Sequence, residues 1–239
     1  MKNWKLKLGD FLFKHRSFTP IPLIVLVFIF FKPLNLAGKN TLLNVAGLLV
    51  SLTRELIRII SVGYAHSGTS GRESYLRAEN LNTAGIYSIV RNPLYIGNFF
   101  MFCGLILVFS NSIALLIFAF FLVLQYHFVI LTEEDFLRKE YGEDYRTYCS
   151  RVNRIIPVFS RYEKNRNPFD FKKVVFKEND SVFNLFMMYL LILLYKERVF
   201  YGVIARPLLY IVPGSALIIA YIIIKIIKKR VSPAAHKGT

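Results

Sequence analysis

Cysteine and acidic residues are scarce in this sequence. Among 239 residues there are two cysteines, Cys103 in an apolar run and Cys149 in a basic amphipathic stretch. Neither has the spacing of a metal ligand, and the pair does not form the framework of a disulfide-rich domain. The sequence therefore predicts no metal site, and we interpret both cysteines as packing residues.

The shortage of acidic residues leaves the chain strongly basic. It has 15 Asp and Glu against 31 Lys and Arg, a formal net charge of +16. Clustered basic residues are typical of nucleic-acid-binding proteins, but here they lie mainly between apolar runs, where anionic lipid headgroups attract them. We therefore expect the membrane surface, and not nucleic acid, to be the partner of this charge.

Apolar residues make up 54% of the chain and the mean hydropathy is +0.43, which is hard to reconcile with a soluble globular protein. A bilayer core of about 30 Å is crossed by roughly 20 apolar residues in a helix. The sequence predicts an all-α membrane bundle with interfacial helices between 133 and 157 and six spans, at about 18–36, 41–64, 93–109, 113–131, 182–195 and 207–227.

These runs divide the chain into an N-terminal two-span region (1–65), a central part with a helical hairpin (66–158), and a basic linker with two further spans (159–239). Lys and Arg are frequent in 133–177 and 225–237, so the positive-inside rule places those segments and both termini in the cytoplasm. An integral, multi-pass membrane location is expected. The sequence has no convincing pair of repeated, broken spans of the kind found in transporters.

Ser110-Asn111-Ser112 is a very short polar break between the third and fourth spans, and it predicts a tight helical hairpin. Both outer ends of such a hairpin return to one side of the membrane. We therefore expect the loop before Arg91 and the acidic residues after Thr132 to lie close together.

Several charged residues lie in or beside predicted spans. Arg54 and Arg58 occupy the later half of the second span, where the favoured interpretation is snorkelling to the membrane surface and the alternative is a substrate-facing role. His127 near the end of the fourth span is either structural or a substrate contact.

A loop that enters a helix at Pro93 offers backbone amides and Arg91 to an anionic ligand, with Tyr87 and Tyr95 available to pack on it. The alternative is an ordinary interfacial belt of Arg and Tyr. Similarly, Glu133-Glu134-Asp135 forms either a ligand-binding carboxylate group or the acidic first turn of an interfacial helix.

Taken together, these residues follow one pattern. The first group is Gly85, Tyr87, Arg91, Pro93, Tyr95 and Gly97. The second is Glu133, Glu134, Phe136, Leu137, Tyr141, Gly142, Tyr145 and Tyr148, closed by Arg151, Arg154 and Pro157. In order and spacing they resemble the isoprenylcysteine carboxyl methyltransferase and phospholipid methyltransferase family. Its pattern is G-x-Y-x-x-x-R-H-P-x-Y-x-G and, after a hairpin, E-E-x-x-L-x-x-x-(F/Y)-G-x-x-Y-x-x-Y. The resemblance covers about residues 66–158.

The resemblance implies a membrane methyltransferase that uses S-adenosylmethionine and acts on a membrane lipid or a lipidated substrate. It implies catalytic roles for Arg91, which orients cofactor or substrate, and for Glu134 beside it. The cofactor-binding residues that it implies are Arg72, Glu79, Leu81, Asn82, Tyr87, Asn92, Pro93, Leu94, Tyr95 and Glu133.

Two positions depart from the family pattern. Asn92 replaces the family's histidine and cannot act as a base at neutral pH, and Val129 replaces an arginine that approaches the substrate. An acceptor that is already ionised, such as a lipid-linked carboxylate or a lipid phosphate, is therefore favoured over an ammonium, which must first lose a proton. Phospholipid amine N-methylation is the alternative within the enzyme class, and a non-catalytic scaffold or small transporter is the alternative outside it.

Overall fold

A computed structural model of the chain describes residues 3–36, 38–65, 80–165 and 167–231. Within these ranges the fold is helical, as the sequence predicts, and the one β-type pairing is an isolated bridge between Gly85 and Glu163. A short 3-10 turn follows the sixth helix. In chain order the α-helices are α1 (Asn3–Lys14), α2 (Pro20–Phe30), α3 (Asn40–Tyr64), α4 (Ile86–Ile89), α5 (Pro93–Phe109), α6 (Ser112–Arg151), α7 (Phe171–Tyr201) and α8 (Leu208–Val231).

The helical hairpin lies where the sequence predicts it. α5 begins at Pro93, whose missing N–H has no cost in the first turn of a helix. It ends because Ser110 adopts the left-handed conformation, with φ 61°. The Asn111 side chain then caps α6 by accepting a hydrogen bond from the backbone N–H of Ala114 at 3.0 Å. The ring of Tyr95 at the start of α5 lies 5.3 Å from that of Tyr126 in α6, so the two helices run antiparallel.

The predicted first span is divided in the structure. An amphipathic helix, α1, precedes it and packs against α6, where Gly9 meets Thr132 and Phe128. α2 has only 11 residues and ends at Phe30, before Lys32-Pro33. Proline has no N–H and restricts the residue before it, so the helix stops and the chain continues in an extended form to Leu36.

The predicted break after the fourth span is absent. α6 continues without interruption past Thr132 to Gly142, where φ 52° and ψ −119° produce a kink, and ends at Arg151. Glu133 and Glu134 therefore lie in the middle of a 40-residue helix. The alternative that they form the acidic first turn of a separate interfacial helix is wrong.

α7 begins eleven residues before the predicted fifth span, because Asp170 caps it by accepting a hydrogen bond from the backbone N–H of Lys173 at 2.8 Å. Among the described residues two helices, Ser112–Arg151 and Leu208–Arg230, are long and apolar enough to cross a membrane. α3 and α7 are long but carry internal charges, and α2 and α5 are shorter. The helical fold is confirmed, and the number of spans stays a prediction.

α3 and α5 cross closely at small residues. A Cβ added to Gly104 would lie 2.4 Å from the carbonyl oxygen of Gly47 and 2.3 Å from the hydroxyl of Ser51. The Ser51 hydroxyl donates to the carbonyl oxygens of Gly47, at 2.8 Å, and Met101, at 3.1 Å. Small residues allow helix backbones to approach in membranes. This contact fixes α3 against the hairpin.

A buried lysine joins three helices at the turn of the hairpin. Lys196 of α7 is 3% exposed, and its ammonium donates to the carbonyl oxygen of Val108 at 2.7 Å, the hydroxyl of Ser110 at 2.8 Å and the amide oxygen of Asn44 at 2.7 Å. A cation at the carboxyl end of α5 is favoured by the helix dipole. α7 is thereby attached to α3 and α5.

We predict that Gly104→Leu destabilises the protein by about 1–3 kcal/mol or prevents folding, because the added side chain has no space between α3 and α5. Thermal denaturation of detergent-purified protein measures the effect. Gly214→Leu in α8 is the matched control, since no heavy atom lies within 4 Å of its added Cβ. Equal melting temperatures for the two variants would contradict this helix crossing.

Candidate functional site

Glu134 is a buried carboxylate that binds two arginines from outside α6, and a third, Arg138 of the same helix, lies 3.7 Å from it. Glu134 is 2% exposed. Its Oε1 accepts from Nε of Arg154 at 3.1 Å and lies 3.2 Å from Nη2 of Arg91, and its Oε2 accepts from Nη2 of Arg154 at 2.5 Å. Charge-assisted hydrogen bonds of this kind are stronger than neutral ones. Glu134 therefore holds the loop before α5 and the segment after α6 on the same helix.

Backbone contacts complete this attachment. The Tyr148 hydroxyl donates to the carbonyl oxygen of Tyr87 at 2.7 Å, the Asn92 amide donates to the carbonyl oxygen of Arg154 at 3.1 Å, and the backbone N–H of Gly85 donates to Glu163 at 2.8 Å. Gly85 has φ 63°, a conformation that glycine adopts without strain. The loop that carries the motif is thus fixed by its backbone.

The tyrosines of this region stay neutral near physiological pH. Burial raises the pKa of Tyr87 to about 12 and raises the pKa of Tyr148 further. Neither phenol ionises at neutral pH. They therefore act as packing groups and hydrogen-bond partners and not as bases.

Glu133 faces away from Glu134 because successive helical residues are about 100° apart. Its carboxylate accepts a hydrogen bond from the Tyr95 hydroxyl, and Arg16 lies close enough to favour its charged form. Burial is the largest effect and raises the pKa of Glu133 above its usual value. Two adjacent glutamates therefore differ: Glu134 is engaged in ion pairs with arginines, and Glu133 accepts a hydrogen bond from Tyr95.

Glu133 lies in the wall of a cavity of about 630 Å³, a size typical of ligand sites. The wall contains charged and polar side chains together with apolar side chains of α2, α5 and α7. The polar members are Arg16, Ser17, Arg54, Arg58, Tyr95, Asn98, Tyr126, Glu133, Asp180, Ser181 and Asn184, and the apolar members include Ile21, Ile24, Leu94, Met101, Phe102, Leu105, Leu185, Met188 and Leu191.

A continuous row of polar contacts leads from Tyr95 to α7. Tyr126, in ring contact with Tyr95, is hydrogen-bonded to Asn98. The Asn98 oxygen accepts from Nε of Arg54 at 2.9 Å, and Nη1 of Arg54 lies 2.5 Å from Glu55. Such a network is stable in apolar surroundings only when its members are satisfied.

Arg58 of α3 forms an ion pair with α7 at the cavity wall. Its Nε and Nη2 donate to the two carboxylate oxygens of Glu178, at 2.5 and 3.0 Å, and the Ser181 hydroxyl donates to Glu55 at 2.8 Å. Arg58 is 7% exposed. The favoured interpretation of Arg54 and Arg58 as snorkelling residues is therefore wrong, because both are engaged in ion pairs inside the protein.

The structure divides the residues predicted from the sequence into three groups. In the cavity wall it places Leu94, Tyr95, Glu133, Arg54 and Arg58. Arg72 and Glu79 lie outside the described residues. Outside the wall it places Arg91, Glu134, Leu81, Asn82, Tyr87, Asn92, Pro93 and His127, the last exposed beside Phe128. Cofactor, catalytic and substrate roles for all of them stay predictions.

Sequence reasoning missed the contribution of α7. Glu178, Ser181 and Leu185 are buried and recur at spacings of three and four residues, the signature of one helix face. The basic residues from 164 to 177 hid this helical period, so the span was taken to begin at Val182. Asn98, three residues after Tyr95, shares its face and was visible as a polar residue in an apolar run.

Comparison with known proteins gives two matches, each to a part of the chain. The phospholipid methyltransferase family profile matches residues 43–144. A curated protein-S-isoprenylcysteine O-methyltransferase of Schizosaccharomyces pombe is 35% identical over 78 residues, which is 33% of this chain and 33% of that protein. No solved structure matches significantly. The resemblance seen in the sequence is confirmed, and the family region begins earlier, within α3, so that it includes Arg54 and Arg58.

We predict that Glu134→Gln lowers the unfolding free energy by roughly 1–3 kcal/mol, because Arg91 and Arg154 lose a charged acceptor. Denaturation in detergent measures the loss. Glu143→Gln is the control, since the exposed pair of Glu143 and Arg146 contributes little. A wild-type melting temperature for Glu134→Gln would show that these pairs do not hold the loop.

Proposed function

We propose that this protein, whose residues 43–144 match the phospholipid methyltransferase family profile, is an integral membrane methyltransferase that uses S-adenosylmethionine and methylates an oxyanion on a lipid-linked acceptor. One observation carries the proposal. Tyr95 and Glu133, both in the motif, meet at a cavity that is lined by both polar and apolar side chains. A water-soluble cofactor and a lipidic acceptor need such a mixed site.

The cofactor end of the cavity is assigned to Leu94, Tyr95 and Glu133. The buried Glu133 carboxylate fits ribose hydroxyls or an ammonium group, because its raised pKa reflects a shortage of solvation that such donors relieve. The Tyr95 ring is available to pack on a sulfonium. Bound S-adenosylmethionine supplies an electrophilic methyl group. Arg91 and Glu134 are assigned a positioning role, since they hold the loop that begins α5.

Charge balance favours an oxyanion as the acceptor. Arg16, Arg54 and Arg58 are balanced by Glu133 and by two glutamates behind the wall, Glu55 and Glu178. The remaining lining charge, that of Asp180, is paired with Lys225 at 2.8 Å. A sulfonium in this neutral, weakly polar cavity leaves one positive charge uncompensated. An anionic acceptor neutralises it, whereas an ammonium acceptor adds a second positive charge.

The acceptor also needs no base at the family's histidine position. Asn92 occupies it and is used structurally, through its hydrogen bond to Arg154. Carboxylates and phosphates are already ionised at neutral pH, whereas an ammonium must lose a proton before it attacks. The chain therefore acts by holding donor and acceptor in line and by excluding water with its apolar wall.

The proposed arrangement in the membrane follows the sequence. Both termini and the basic segments 133–177 and 225–237 are assigned to the cytoplasmic side, where anionic headgroups attract them. The cofactor then enters from the cytosol, and the acceptor enters from the bilayer.

We predict that the detergent-purified protein binds S-adenosylmethionine in calorimetry and that Glu133→Gln weakens binding by about tenfold or more. The affinity of the wild type should fall as pH is lowered from about 8 to about 5. The sign follows from burial: the raised pKa leaves more Glu133 protonated at a given pH than an ordinary glutamate with pKa 4.5, and the neutral form is the weaker acceptor.

The same titration of Glu133→Gln provides the control, because its weak binding should not vary over this pH range. Absence of binding by the wild type would refute the proposed function. Equal pH profiles for the two proteins would remove Glu133 from the cofactor site.

We further predict transfer of labelled methyl groups from S-adenosylmethionine to a lipid in a membrane extract, and loss of transfer in Glu133→Gln. Mass spectrometry of the labelled lipid should locate the methyl group on a carboxylate or phosphate oxygen. A methylated amine would instead support phospholipid N-methylation, and cofactor binding without transfer to any lipid would support a non-catalytic protein.

A further inference from the structure

α7 lies outside the family region, yet it forms one side of the cavity. Ser181, Asn184, Leu185 and Met188 face the cavity and are spaced by three, one and three residues along the helix. α3 lies opposite and supplies Arg54 and Arg58. The space between α3 and α7 is therefore lined by polar groups from both helices.

This space contains hydrogen-bond donors that are not used within the described part of the chain. Arg54 donates through Nε and Nη1, and Arg58 through Nε and Nη2. Nη2 of Arg54 and Nη1 of Arg58 make no hydrogen bond to a described residue. The acidic partners fix each guanidinium and leave one nitrogen of each available. Preorganised donors bind an oxyanion without a large reorganisation cost.

Asn184 adds a side-chain amide within a predicted membrane span, where a polar group without a hydrogen-bond partner is costly. It is exposed and makes no hydrogen bond within the described ranges. It precedes Lys196 by twelve residues on one helix, which places it about 18 Å from the turn of the hairpin. Lipid chains offer no hydrogen-bond partner to an exposed amide inside a predicted span. A ligand bound in the cavity would offer one, because Asn184 lies in the cavity wall.

An apolar slot continues from these donors between α2 and α7. Ile21 and Ile24 line it from α2, and Met188 and Leu191 line it from α7. Further along the same two helices, outside the cavity lining, the rings of Phe28 and Tyr195 lie 5.0 Å apart, and the Tyr195 hydroxyl donates to the carbonyl oxygen of Phe28 at 3.3 Å. Methionine side chains adapt to irregular ligands. The slot fits the hydrocarbon chain of a lipid whose headgroup lies at the arginine donors.

We infer that α3 and α7 form the headgroup site of the acceptor, in which Arg54, Arg58 and Asn184 donate hydrogen bonds to a lipid-borne oxyanion while its hydrocarbon chain lies between α2 and α7. Asn184 determines specificity for the oxyanion. This inference rests on the proposed function and adds to it a recognition site contributed by a helix outside the family region.

The test uses three soluble lipid probes: dioctanoyl phosphatidic acid, which carries a phosphate, N-acetyl-S-farnesyl-cysteine, which carries a carboxylate, and uncharged dioctanoylglycerol. Binding to the full-length protein in detergent is measured by calorimetry. The wild type should bind one of the two anionic probes at least about tenfold more tightly than dioctanoylglycerol, since hydrogen bonds to charged groups are strong. The preferred probe identifies the oxyanion as phosphate or carboxylate.

The diagnostic variant is Asn184→Ala, which should weaken binding of that probe about tenfold and leave binding of S-adenosylmethionine within about twofold. Asn179→Ala is the matched control on the same helix, because Asn179 does not line the cavity. It should bind as the wild type does. Both asparagines lie inside α7, so the two substitutions are alike in their effect on helix formation.

Equal binding of charged and uncharged probes, or equal binding by Asn184→Ala and Asn179→Ala, would overturn the headgroup site even if S-adenosylmethionine binds. Conversely, absence of S-adenosylmethionine binding together with an Asn184-dependent preference for an anionic probe would refute the proposed methyltransferase and retain the site. The two failures are therefore distinguishable.

Discussion

The candidate site depends on one buried carboxylate, that of Glu134, which is shared by two arginines. Arg91 precedes α5 and Arg154 follows α6, so the carboxylate joins both ends of the motif region to the middle of α6. Removing Arg91 and Glu134 from water is costly, and the ion pairs of Glu134 offset the cost. Because Glu134 is used in this way, Glu133 is free to face the cavity, 100° further around the same helix. The paired glutamates of the motif thus differ: Glu134 holds the ion pairs, and Glu133 lines the cavity.

The same constraint explains the remaining polar groups inside the helices. Arg54 and Arg58 lie within α3, where an isolated guanidinium is expensive, and each is matched by an acidic group. The resulting site is close to neutral, and its charges are fixed before a ligand arrives. Preorganised charges of this kind favour one distribution of charge in the ligand over others without rearranging when it binds. The proposed preference for an anion beside a sulfonium rests on this balance.

The sequence predicts the parts of the fold that depend on local signals. Pro93 marks the start of α5, and the polar residues near 111 mark the turn, so the hairpin and the proximity of Glu133 to Tyr95 were predictable. The continuity of α6 was not, because Glu133 and Glu134 interrupt the apolar pattern although they face protein. Nor was the pair of Arg58 and Glu178, whose partners are 120 residues apart. The spacing of residues identifies which face of a helix is buried, but not which group of another helix that face contacts.

This long-range pair also bears on the extent of the functional unit. The family region ends at residue 144 and includes Arg58 but not Glu178. Without α7, Arg58 has no carboxylate among its described partners, and Lys196 no longer occupies the carboxyl end of α5. An uncompensated buried guanidinium is strongly destabilising. In this chain the family region and α7 are consequently interdependent, and a helix outside the recognised motif completes both the charge balance and the wall of the cavity.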